Sequence, residues 1–145
     1  MMNSAARAGH LDTVKWLHTN RAEGCTTEAM DDAAFNNHLD VVKWLHENRT
    51  EGCTQRALDS AACQGHLEMV QWLNENRSEG CSDLALKSAI KNGDFEVAWY
   101  LHQARSDCDI STVLKKCSNK SRRWEFTEWA YIHHREEFES TVAGR

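Results

Sequence analysis

Apolar residues fall along this chain in two alternating patterns, both with helical spacing. Along a segment from roughly Asp40 to Arg49 and the residue before it, Leu39, Val42 and Leu45 make one stripe, and Val41 and Trp44 make a second about 100° around the axis. Asp40, Lys43 and Glu47, at i, i+3 and i+7, are left as a narrow polar face. So wide an apolar arc predicts a helix covered on more than one side. Upstream, Ala29, Met30, Ala33 and Ala34 fall at i, i+1, i+4 and i+5, and predict a second helix whose apolar face is largely alanine. Glu28, Asp31, Asp32 and Phe35 occupy its other face. Thr26 stands where a side-chain oxygen can accept the open N–H groups of the first turn, as do Thr54 and Ser82 further on.

The two patterns recur together. The nine residues from His10 to His18, from His38 to His46 and from His66 to Asn74 are copies of one another at a spacing of 28 residues. Gly24, Gly52 and Gly80 keep that spacing, as do Cys25, Cys53 and Cys81 and the alanine pairs beginning at Ala5, Ala33 and Ala61. A fourth copy drifts: Tyr100 takes the tryptophan column and Trp99 is added one place earlier. A fifth can be traced with one extra residue, which brings Trp129 into that column. Gly9, Gly65 and Gly93 mark a tight turn between the two helices, with Asn37 as the substitute that best tolerates a left-handed backbone. The expected architecture is an all-α solenoid of stacked helix-turn-helix units. It divides into a partial N-terminal unit over 1–24, three full units over 25–52, 53–80 and 81–108, and a degenerate capping unit over 109–145. Because the chain starts inside a unit, the first helix is expected either as a short cap or as the start of a fragment of a longer array.

The run from Ala61 to Leu73, with its alanine pair, its Gly65-His66 turn and its Val70-Gln71-Trp72-Leu73 second helix, resembles the ankyrin repeat. The family's threonine-proline-leucine-histidine signature is replaced here by Glu28, Ala29, Met30 and Asp31, consistent with a chain that has no proline. The unit is also shorter than the usual ~33 residues. The deficit falls where ankyrins carry a β-hairpin finger, which is expected to be a short loop or absent. The glycine-cysteine-threonine junctions and tryptophan-leucine-histidine endings look like the short ankyrin-type repeats common in oomycete proteins. The resemblance implies a non-catalytic module that grips a protein partner with the concave face formed by its first helices. On this chain that face would be Glu28, Arg56 and Leu84; Asp31, Asp59 and Lys87; Asp32, Ser60 and Ser88; and Phe35, Cys63 and Lys91, which differ from unit to unit on a constant frame. The resemblance also implies that the turn histidines His10, His38 and His66 bond backbone groups and link neighbouring units.

Charge and chemistry narrow the alternatives. The net charge of −5 gives no global reason to expect nucleic acid or an anionic membrane. No apolar run approaches the ~20 residues of a membrane span, and the N-terminus has no secretory pattern, so an intracellular chain, cytoplasmic or nuclear and monomeric, is expected. Cys25, Cys53 and Cys81 occupy one column of units stacked roughly 10 Å apart, beyond the ~7 Å a disulfide spans, and read as small buried hydrophobes. Cys108, Cys117, His133 and His134 could supply four zinc ligands, but no close pair anchors such a site; no metal and no cofactor are expected. No nucleophile or orienting carboxylate recurs beside the histidines, so no catalytic residue is assigned. His18, His46 and His102 are placed to serve the last carbonyls of their helices. Trp16, Trp44 and Trp72 are expected to pack between units. One segment is basic: Lys115, Lys116, Lys120, Arg122 and Arg123, followed by Trp124 and Phe126. It fits a polar cap, and alternatively a nuclear-targeting or nucleic-acid-contacting role. A last alternative is an inert spacer of a longer array.

Overall fold

The alternation of alanine-faced and valine/leucine-faced segments becomes a stack of helix pairs in the computed structural model, which describes residues 1–21, 24–105, 110–116 and 119–143. Among these there are eleven helices and no strand. They pair as α1 (Met2–Arg7) with α2 (Leu11–Asn20), α3 (Thr27–Phe35) with α4 (Leu39–Asn48), α5 (Gln55–Cys63) with α6 (Leu67–Asn76) and α7 (Asp83–Asn92) with α8 (Phe95–Ala104). Then follow α9 (Ile110–Lys116), α10 (Lys120–His133) and α11 (Arg135–Ala143).

Each first helix is started by the predicted oxygen. Thr26, Thr54 and Ser82 accept the N–H of Glu28, Arg56 and Leu84 at 3.3, 3.2 and 3.2 Å, caps worth about 1 kcal/mol each. The alanines of the first helices are buried together with Met30, Leu58, Leu86 and Ile90. Alanine lets neighbouring backbones approach closely, whereas the second helices meet through Val42, Leu45, Met69, Val70 and Leu73. The row of first helices is accordingly packed more tightly than the row of second helices.

The turn between the helices needs the residues it has. Asn37 takes φ +63° and Gly9 φ +74°. A Cβ on Gly9 would also lie 2.5 Å from the ring of His38 in the next unit, so backbone conformation and close approach both select glycine there. Asp94 stands against Gly65, and Arg122 against Gly93, in the same way.

The C-terminal end departs from the regular frame. Arg122 keeps the 28-residue spacing from Asp94 without the extra residue. Trp44 and Trp72 meet the histidine near the end of the preceding second helix, His18 and His46. Trp129 instead packs on Phe95 at the start of α8, 5.9 Å between ring centroids, and on Phe126. Phe126 and Ala130 are completely buried, and Phe126 meets Phe95 edge-on at 5.5 Å. Helix α10 thus continues the stack while leaving its register. No described helix is long and apolar enough to cross a membrane.

Candidate functional site

Two of the residues expected to face a partner are tied to the next unit, and one of them is buried there. Asp31 is only 2% exposed. Its two carboxylate oxygens accept the N–H and the hydroxyl of Thr54 in the next unit, at 2.8 and 2.7 Å. Asp59 does the same for Ser82, at 2.8 and 2.7 Å. Asn3, in the same column, accepts the Thr26 N–H at 3.2 Å and donates to the Thr26 hydroxyl at 2.8 Å. The carboxylate therefore organises the residue that caps the following first helix. Burial raises the Asp31 pKa, against the two Thr54 hydrogen bonds that favour its charged form. The expectation that Asp31 lies on the open polar face gives way: helical phase put it beside Asp32, but the next unit closes over it.

A second link lies in the loops after the second helices, and composition drew no notice to it. Arg49 and Arg77 pair with Glu51 and Glu79 two residues on and reach back to the preceding unit, where Nη1 donates to His18 Nδ1 at 3.4 Å and His46 Nδ1 at 3.3 Å. Arg105 reaches Asn74 Oδ1 at 3.3 Å in the same manner. Arg77 also fills the space a Cβ on Gly52 would need. The hydrogen bond from Arg49 pulls the Glu51 pKa down to about 2. Burial alone would raise Glu79, but the hydrogen bonds and charge of Arg77 and nearby backbone N–H groups bring it below its ordinary value. The signal was present in the sequence as the 28-residue spacing of Arg49, Arg77 and Arg105.

The histidines and tryptophans follow the same logic of unit against unit. His66 Nε2 donates to the Phe35 carbonyl at 3.2 Å; in the fourth unit, where Asp94 replaces histidine, Asn92 donates to the equivalent Cys63 carbonyl at 2.7 Å. His18 and His46, expected to serve their own helix ends, instead lie edge-on to Trp44 and Trp72 of the next unit at 5.2 and 5.3 Å. Asn74 donates to the Tyr100 hydroxyl at 3.3 Å in the fourth. Trp44 and Trp72 are half-buried by these contacts. Trp16, expected to be packed between units, is 55% exposed. Burial pushes the Cys25 thiol up and the Cys53 thiol to about 11, which keeps both protonated and poor nucleophiles at neutral pH.

Once these linking groups are set aside, the variable residues of α3, α5 and α7 converge. Phe35, Thr54, Gln55, Arg56, Asp59, Ser60, Cys63, Leu84 and Ser88 line one open groove of about 670 Å³. Phe35 is 42% and Leu84 61% exposed, large apolar side chains standing in solvent, and Cys63 is half-buried. Asp59 borders the groove with both oxygens already bonded to Ser82. Arg56 is held across it by Asp32 at 2.9 Å. Glu28, in the first turn of α3, takes the Asn3 amide at 3.1 Å. Lys87 and Lys91 are exposed on α7.

Lys115, Lys120 and Arg123 are exposed, whereas Arg122 is turned onto Glu125 at 2.7 Å and against Gly93. The Lys116 side chain, Cys108 and Cys117 lie outside the described residues, so the four-ligand zinc arrangement cannot be placed. Among the described residues no group of three histidines, cysteines or carboxylates is gathered as a metal site would need. A family model described as ankyrin repeats in many copies matches residues 2–46 and 30–73, together about half of the chain. No curated protein matches it.

Proposed function

We propose that this chain, which belongs to the ankyrin-repeat family, is a non-catalytic module that binds a protein partner through the groove formed by α3, α5 and α7. Ankyrin repeats are generally protein–protein interaction modules, and stacked repeats present extended inner surfaces on which partners are gripped. The observation that carries the reading is the convergence of residues that change from unit to unit, Phe35, Arg56, Ser60, Cys63, Leu84 and Ser88, onto one open surface that includes two exposed large apolar side chains. Residues that are constant from unit to unit, by contrast, are engaged in holding the stack. A spacer would have no need to keep Phe35 and Leu84 in water.

The test is the triple variant Phe35→Ser, Leu84→Ser and Lys87→Glu. It leaves the Asp31 and Asp59 links intact, so helical content and melting should be unchanged. Capture of the partner should be lost. A partner that holds the variant at the affinity of the parent would place the binding surface elsewhere.

A second reading has one observation in its favour. Trp124 is 71% exposed beside exposed Lys120 and Arg123, a base-stacking side chain next to phosphate-binding charges. Binding to single-stranded nucleic acid that falls steeply with salt, and disappears in Trp124→Ala, would support it; no binding at low salt would end it.

A further inference from the structure

We infer that the cleft between α6, α8 and α10 accepts a basic side chain from a segment of a partner protein, with its charge held by Asp94 and Glu96 and its aliphatic stem against Trp129. This surface shares no residue with the groove of α3, α5 and α7. Two open cavities of about 330 and 370 Å³ adjoin here and have Leu67, Glu96 and Trp129 in common.

The cleft is acidic because the later units depart from the repeat. Asp94 stands in the column of His10, His38 and His66, and the column of Lys15 and Lys43 continues as Gln71 and Trp99. Asp94, Gln71 and Trp99 all line the cavities. The earlier units would put a histidine and a lysine at these places; here stand a carboxylate, an amide and an indole. Glu96 keeps the acidic residue found in the first turn of every second helix. Among the described residues no lysine or arginine lines either cavity, and neither carboxylate side chain has a hydrogen-bond or ion-pair partner. Arg122, which stands against Gly93, is paired with Glu125 at 2.7 Å. The backward link that His66 makes is supplied in the fourth unit by Asn92, so Asp94 is not needed for it. Two uncommitted carboxylates therefore face the cleft, and the net charge of −5 favours the approach of a cation.

The remaining walls suit the rest of such a residue. Half-buried Trp129 is common to both cavities, with Phe95 lining the first and Tyr100 and Trp99 the second. Long basic side chains lay their methylenes along apolar surface of this kind while the charged head stays among polar groups. Trp99 is only 3% exposed, and its indole N–H is buried with no hydrogen-bond partner. The cleft thus lacks both a cation and an acceptor. A peptide that carries a basic residue brings the two together, one on the side chain and one on the backbone carbonyl, whereas a simple amine brings only the first. A protein segment is also the kind of ligand that ankyrin repeats generally hold.

The experiment titrates the isotope-labelled full chain with the blocked peptide Ala-Arg-Ala and follows the tryptophan indole N–H signals by NMR. The same peptide with citrulline in place of arginine is the uncharged control. The arginine peptide should move the Trp129 and Trp99 signals saturably and bind about fivefold tighter than the citrulline peptide at low salt, a difference that one cation between two solvent-reached carboxylates supplies. Gln71→Lys, which restores the residue of the first two units, should abolish the arginine preference and leave the melting temperature unchanged. Asp94→Asn with Glu96→Gln should bring the arginine peptide down to the citrulline level. Equal binding of the two peptides, or an arginine preference that survives either variant, overturns the assigned chemistry. Trp129 and Trp99 signals that do not respond to the arginine peptide overturn the site. Spermidine that binds as tightly as the arginine peptide overturns the assignment to a protein segment.

Discussion

The regular stack and its C-terminal end are joined by different physics. From α1 to α8 the units are tied by directional polar links that recur in register: Asn3, Asp31 and Asp59 onto the caps of the next unit, and Arg49, Arg77 and Arg105 onto the residue near the end of the preceding second helix. Between α8 and α10–α11 ring contacts dominate, with Phe95 on Phe126 at 5.5 Å, Phe95 on Trp129 at 5.9 Å and Trp99 stacked on His134 at 4.8 Å, beside a hydrogen bond from the Gln103 amide to Glu137 at 2.6 Å. A hydrogen-bond ladder works only where each unit repeats the rotation and rise of the last, because a small shift loses the geometry. Where α10 leaves the register, aromatic packing tolerates the offset and still buries area. Lys87 marks the change: it stands in the Asp31/Asp59 column with the opposite charge, and it faces solvent.

The largest test of this contrast is Phe126→Ala. Removing a completely buried phenyl ring should cost about 3–5 kcal/mol. Hydrogen exchange should show the loss in α10 and α11 while the amides of α3 to α6 keep their protection, since repeat units are stabilised by their neighbours. Equal loss along the chain would mean that end and stack unfold as one piece.

Next comes the ladder. Asp31→Ala should cost about 1–3 kcal/mol in denaturant unfolding, because it strips two acceptors from the Thr54 cap. Asp31→Asn should cost under about 1 kcal/mol, because Asn3 already makes the amide version of the link. If both substitutions were equally harmful, charge rather than hydrogen-bond geometry would carry the link.

Acid should touch the stack more gently. Glu51 is held at about 2 by Arg49, below its ordinary value, so its stabilisation is present above pH about 4.5 and is lost as pH falls toward 2. Glu79 runs the same way. Asp31 has the opposite sign, since burial raises its pKa and acidification favours the folded form. The stability lost between pH 5 and 2 should therefore shrink in Glu51→Gln, by about 1 kcal/mol at most for a pair still reached by solvent, and grow in Asp31→Asn. A pH profile unchanged by Glu51→Gln would remove the Arg49 pairing from the account. Smallest of all, Phe35→Ser and Leu84→Ser should shift stability by no more than about 0.5 kcal/mol. A larger loss would make them part of the stack and not of its binding surface.

Much of this was readable from spacing alone. The 28-residue period, the threonine and serine caps, the alanine faces and the left-handed turn at Gly9 and Asn37 all follow from local rules that hold whatever the units do next. The groove was readable in part: subtracting the repeated columns left the variable residues, and most of those line it. Asp31 was misplaced by that subtraction because nothing local distinguishes it from Asp32 beside it, whereas Asp59 lines the groove while bonding Ser82.

What the sequence determined by itself is thus the single unit and its copying, since a helix's phase, cap and turn depend on residues a few places apart. Which of two adjacent carboxylates is buried depends on how far one unit rotates over the next, a quantity no short window contains. Only the assembled stack turned Asp31 onto Thr54 and left Asp32 to Arg56, set Arg49 against His18, exposed Trp16 while covering Trp44, and brought Phe35 and Leu84, 49 residues apart, to the two sides of one groove.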